Sequence, residues 1–155
     1  MDDQHTIIEQ RVRVLQIIAG ALVMGVVLFL VVAIAVLGAL RKTSAGEQFS
    51  LIAAGFAIAA WVLHLVLPGA MANAAASGDK SAFVEKLCTI YQGKTIIALA
   101  LLEGAAFFNV CALLVEHNWW SLVVIGALLL QMLFEFPTVT RVRQWIETQQ
   151  MNATN

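Results

Sequence analysis

Long apolar runs separated by short polar stretches set the pattern of this chain. Crossing about 30 Å of hydrocarbon takes roughly 20 apolar residues in a helix. Four runs reach or approach that length: residues 14–40, 49–67, 95–115 and 119–136. Arg41-Lys42 ends the first, Pro68-Gly69 the second, Glu116-His117-Asn118 the third, and Pro137 followed by Arg141 and Arg143 the fourth. A lipid-exposed backbone has to satisfy its own hydrogen bonds, so each run is expected to be helical. The first run follows the acidic start Asp2-Asp3 and exceeds the apolar region of a cleaved signal, which reads as a retained span.

Residues 69–93 form the one long connection. Its stretch 72–78 is small and flexible in composition. Residues 81–92 then place Phe83, Leu87, Ile90 and Tyr91 at helical spacing, opposite Lys80, Glu85 and Lys86. That predicts an amphipathic helix running straight into the third span. It suits either a surface resting on lipid headgroups or one that docks a partner. Residues 139–146, with Trp145, carry the same two readings.

Basic residues in the short connections set the orientation. Arg11, Arg13, Lys80, Lys86, Lys94, Arg141 and Arg143 fall on one side, and only Arg41 and Lys42 on the other. The bias predicts both termini inside, with Trp119-Trp120 at the outer interface and Tyr91 near the inner one. Sliding the first span by 79 residues superposes Ile17-Ile18-Ala19 on Ile96-Ile97-Ala98, and Ala21 and Gly25 on Ala100 and Gly104. The spans that follow end alike, in Leu67-Pro68 and Phe136-Pro137. Small residues four apart let helices approach closely in lipid. The expected architecture is therefore an all-α integral membrane four-helix bundle built from two similar transmembrane hairpins, a single membrane domain over residues 1–155.

Composition agrees: 61% of residues are hydrophobic, mean hydropathy is +0.85, and only 12% are charged. A soluble domain is nearer 45–50% apolar. The net charge of −1 leaves no basic footprint for nucleic acid. Cys88 and Cys111 form no C-x-x-C and are expected to stay unpaired as small hydrophobes. No zinc-protease motif, phosphate-cradling glycine loop or nucleophile elbow is present, and the three histidines fall at different depths. No catalytic residue, metal or cofactor is expected.

Ionisable residues within spans carry the remaining chemistry. Glu103 lies mid-span, where a charge costs about 2.5–3.5 kcal/mol on insertion scales, so a neutral carboxyl or a matched one is expected. Gln131 is its candidate partner by depth, which makes the two a candidate ion-binding pair. Asn109, on a strip with Ala98, Ala105 and Ala112, reads as an interhelical hydrogen-bonding group, alongside the helix-packing residues Ala21, Gly25, Ala100 and Gly104. His64 and Glu135 sit at similar depth near the inner interface and form a candidate polar pair.

The run from Thr95 to Phe108, with Ala100-Leu101-Leu102-Glu103-Gly104 at its centre, resembles the carboxylate helix of the rotary ATP synthase c subunit, the proteolipid. The resemblance implies a carboxylate that binds and releases a proton or cation. It covers about 20 residues. The chain departs from that family in lacking the alternating-glycine first helix and the polar loop. Taken whole, it looks like the small four-span membrane proteins of bacteria, which implies the inner membrane. Three readings follow: a structural or assembly protein with Glu103 as a packing carboxyl, ion handling through Glu103, and an adaptor docking a cytoplasmic partner through residues 81–92. The expected partners are the bilayer itself and either a second copy or another membrane protein.

Overall fold

A computed structural model describes the backbone of residues 2–40, 46–75 and 83–154, and the side chains of residues 9–40, 46–66 and 87–148. The Arg41-Lys42 stop, residues 76–82 and the side chains of Phe83, Glu85 and Lys86 lie outside that set. Among the described residues the chain is all-helical: α1 Asp2–Ala35, α2 Gln48–Ala75, α3 Phe83–Glu116, α4 Ser121–Phe134 and α5 Val139–Thr154. Three segments, Glu9–Ala35, Gln48–Val66 and Leu87–Glu116, are long and apolar enough to cross a membrane. Ser121–Phe134 and Val139–Thr148, bent by 70° at their junction, make a fourth if the pair is one span. Large apolar side chains such as Ile17, Leu28, Ile58, Leu65 and Phe134 are exposed. Such a surface requires a lipid host.

The helix ends follow local chemistry. Gly38 takes φ 66, the left-handed conformation that glycine adopts freely, and the Ala39 N–H returns to the Ala33 carbonyl at 3.0 Å. This closes α1 five residues short of the expected Leu40 boundary. Helix α2 continues through Pro68 to Ala75, past the expected stop at Pro68-Gly69. The alanine-rich run after Pro68 has the strongest intrinsic helix preference, and membrane helices tolerate proline. Helix α4 spans 14 residues, about 21 Å, shorter than the expected 119–136 because Trp119-Trp120 form a turn before it and Pro137 follows it.

Helix α3 is the hub, packing extensively against α1, α2 and α4. It runs parallel to α1 in a steady register: Arg11 bonds Thr89 and His117 bonds Ala39, both pairs 78 residues apart. Helix α2 lies antiparallel to α3 and buries a narrow seam of Ser50, Ala53, Ala57, Ala60 and His64. That spacing alternates three and four, the signature of a tight helix seam. Helix α4 contributes Ser121, Ile125, Leu128 and Met132 to the shared core.

Helices α1 and α3 each have 34 residues, about 51 Å, so neither fits within 30 Å of hydrocarbon. Their N-terminal turns project together, and α5 packs against both. Val12, Leu15, Leu87, Cys88, Tyr91, Val142 and Ile146 form a second buried cluster there. The apolar face expected to rest on headgroups is thus covered by α1 and α5 where it is described, with Leu87 2% and Tyr91 8% exposed.

Candidate functional site

Glu103 projects from α3 toward α1 and is half-buried. Glycine at position 25 makes the room: a Cβ built there would lie 3.5 Å from Glu103 Oε1 and 3.7 Å from the Phe107 ring. Phe29 packs on Phe107 one turn further, with ring centroids 5.4 Å apart. Gln131 is not the partner of Glu103. Its face of α4 turns toward α2, where its amide lies 3.4 Å from His64 Nε2. Glu103 and Gln131 share a depth, but their helix faces diverge.

His64 is instead the centre of a polar group. It is 5% exposed, at the last described position of the buried α2 seam. Its Nε2 lies 3.2 Å from Glu135 Oε1. Against a carboxylate this nitrogen donates, and the Gln131 amide nitrogen lies beside it at 3.4 Å. The other ring nitrogen, Nδ1, is buried with no hydrogen-bond partner. Glu135 stands at the end of α4, where its N–H donates to the Gln131 carbonyl at 3.0 Å. Just beyond, the Arg141 guanidinium donates to the Phe134 carbonyl, and Gln16 Nε2 donates to the Pro137 carbonyl at 2.9 Å. The α4–α5 break is therefore tied to α1, to α2 and to its own flanking helix. Beside it, Lys94 Nζ sits 4.7 Å from the Tyr91 ring and 4.8 Å from the Trp145 ring, within range of cation–π attraction.

Asn109 is fully buried on α3. Its Nδ2 donates to the Ala53 carbonyl at 3.1 Å and to the Ala105 carbonyl at 2.9 Å, joining α2 to α3. The other small packing residues are placed differently. Gly25 lies in the α1–α3 contact, whereas Ala21, Ala100 and Gly104 are exposed, and nothing lies within 4 Å of a Cβ at Gly104. Cys88 is buried and Cys111 exposed, and neither is in a disulfide. Among the described residues no group of three or more His, Cys, Asp or Glu side chains is disposed to hold a metal.

Sequence reasoning treated Glu116 only as a stop and so missed its role. Both its oxygens accept backbone N–H groups of α2, from Phe49 and Ser50, each at 2.7 Å. Asn118 adds a donor to the Gly46 carbonyl, and His117 Nδ1 donates to the Ala39 carbonyl at 2.8 Å. The signal was available: α2 begins after Gly46-Glu47 with none of the usual side-chain caps, so its first N–H groups needed an acceptor from elsewhere.

Two assemblies of polar side chains thus stand in an otherwise apolar bundle. One is a latch at the α2 start built on Glu116, and the other a group at the α4–α5 break built on His64 and Glu135, with Glu103 apart from both. No protein-family model matches the chain, and no curated protein or solved structure matches it either.

Proposed function

We propose that this is a non-enzymatic multi-pass membrane protein of structural or assembly type. In this reading the open face of α3 around Ala100 and Gly104 receives a transmembrane helix of a second copy or of another membrane protein. Glu103, at the edge of that face, is a neutral packing carboxyl. The observation that carries the reading is the contrast along α3: Gly104 and Ala100 are exposed beside a half-buried Glu103, while α1 and α2 lie to either side. Small residues allow the close backbone approach on which helix association in lipid depends. A carboxyl at mid-membrane gains from any donor that a partner helix brings.

The same proposal includes two like hairpins sharing one topology, with both termini cytoplasmic in a bacterial inner membrane. The α1–α3 register of 78 residues is close to the 79-residue sequence shift. His64 pairs across α2 and α4 at separations of 67 and 71, which bracket the Pro68-to-Pro137 spacing. Native mass spectrometry of the purified chain with its co-purifying subunits tests the assembly reading. A defined complex is expected that Gly104→Leu dissolves and Glu103→Gln preserves. A strictly monomeric wild type would overturn it.

A second reading, reversible proton or cation binding at Glu103, draws on that side chain's partial exposure toward the hydrocarbon. It predicts selective labelling of Glu103 by a lipid-soluble carbodiimide near neutral pH and loss of ion flux in Glu103→Gln. An unlabelled Glu103 removes it.

A further inference from the structure

A groove of about 310 Å³ runs between α2 and α4, walled by Ala57, Ile58, Trp61, Val124, Ala127 and Gln131. Its lined stretch, from Ala54 to Trp61 and from Val123 to Gln131, is on the order of 12 Å long at 1.5 Å per residue. One leaflet of hydrocarbon is about 15 Å deep, half of the 30 Å core. One turn beyond Trp61 and Gln131, the His64–Glu135 contact at 3.2 Å bridges the two helices and closes that end.

The closed end carries charge of both signs. Glu135 offers one oxygen to His64 and keeps a second, on a side chain that is 42% exposed. Arg141 is exposed and anchored by one N–H to the Phe134 carbonyl, which leaves it further donors in a planar fork. Phe134, whose carbonyl holds Arg141, directly precedes Glu135, so the two charges share one locale. Lys94, beside the break, is held over the Tyr91 and Trp145 rings.

We propose that this groove and the charged break at its end form a site for one phospholipid with a primary-ammonium headgroup, of the phosphatidylethanolamine class. One acyl chain lies along Ala57, Trp61 and Ala127. The phosphodiester meets the Arg141 guanidinium, the side chain best suited to phosphate oxygens. The ammonium donates an N–H to the open oxygen of Glu135. A quaternary choline headgroup has no N–H to give, and a glycerol headgroup has no cation to set against Glu135. The site stands on a different face from the α3 surface invoked above and does not depend on that reading.

The test is native mass spectrometry of the full chain released from nanodiscs holding equal amounts of ethanolamine, choline and glycerol phospholipids with identical acyl chains. Retention of one ethanolamine lipid is expected, at least tenfold over the other two. Glu135→Gln is expected to abolish that preference, Arg141→Gln to weaken retention of all three classes alike, and Ala127→Leu to remove the bound lipid. Equal retention of all three classes, or an undiminished preference in Glu135→Gln, would overturn the proposal. Quenching by brominated acyl chains reads the same site without altering the groove. The Trp61 signal, isolated by subtracting the Trp61→Phe variant, is expected to fall further with brominated ethanolamine lipid than with brominated choline lipid. Equal quenching by the two would also overturn it.

Discussion

The bundle contains two parallel helix pairs, and they are built differently. In α1–α3, glycine at 25 faces the Glu103 carboxyl and the Phe107 ring, and Phe29 stacks on Phe107, so the contact closes. In α2–α4, the alanines at 54, 57 and 127 border one open groove, and among the described residues the polar contacts between the helices gather at His64, with Glu135 and Gln131. Small residues alone therefore do not close a contact in lipid. A gap on one helix needs matching bulk on its neighbour, because dispersion attraction is lost wherever atoms lack a partner. Where alanine lies near alanine, the space is left for something else.

Substitutions that reverse this difference test it. The largest effect is expected at the closed pair. Gly25→Leu drives a side chain into Glu103 and Phe107 and should cost about 1–3 kcal/mol in reversible detergent unfolding. Gly25→Ala, whose Cβ meets only ordinary contacts, should be nearly neutral. Next comes the latch at the α2 start: Glu116→Ala strips the acceptor from two α2 N–H groups and should cost about 0.5–2 kcal/mol, the range of a lost helix cap. At the open pair, a double-mutant cycle of His64→Leu and Glu135→Gln should return a coupling of about 0.6 kcal/mol, typical of hydrogen bonds between membrane helices. Smallest of all, Gly104→Leu should leave the monomer within about 0.5 kcal/mol of wild type, the usual range for a side chain that touches nothing. A cost at Gly104 equal to that at Gly25 would erase the distinction between the two faces of α3.

The positions of the helices were legible because hydrophobicity marks what enters lipid. Their ends were less so, since α2 passes through Pro68 and α4 stops at Phe134. Which faces meet was mostly hidden. In lipid the outward and inward faces are both apolar, so periodicity loses the contrast that orients a helix in a soluble protein. Exceptions came from scarce polar groups. Asn109 was assigned to a helix contact and bonds Ala53 across one, and the equal depths of His64 and Glu135 foreshadowed their 3.2 Å approach. The depth match of Glu103 with Gln131 misled for want of rotational information. The capping role of Glu116 escaped because it depends on a helix start 66–67 residues earlier in the chain.

The central place of α3 bears on how the protein is made. Helices α1 and α2 leave the ribosome first, yet each finds its main neighbour in α3 rather than in the other. Until α3 is synthesised, the α2 start lacks the Glu116 carboxylate and Ala53 lacks its bond from Asn109. The early half of the chain therefore has few helix–helix contacts of its own, and its packing waits on the third helix.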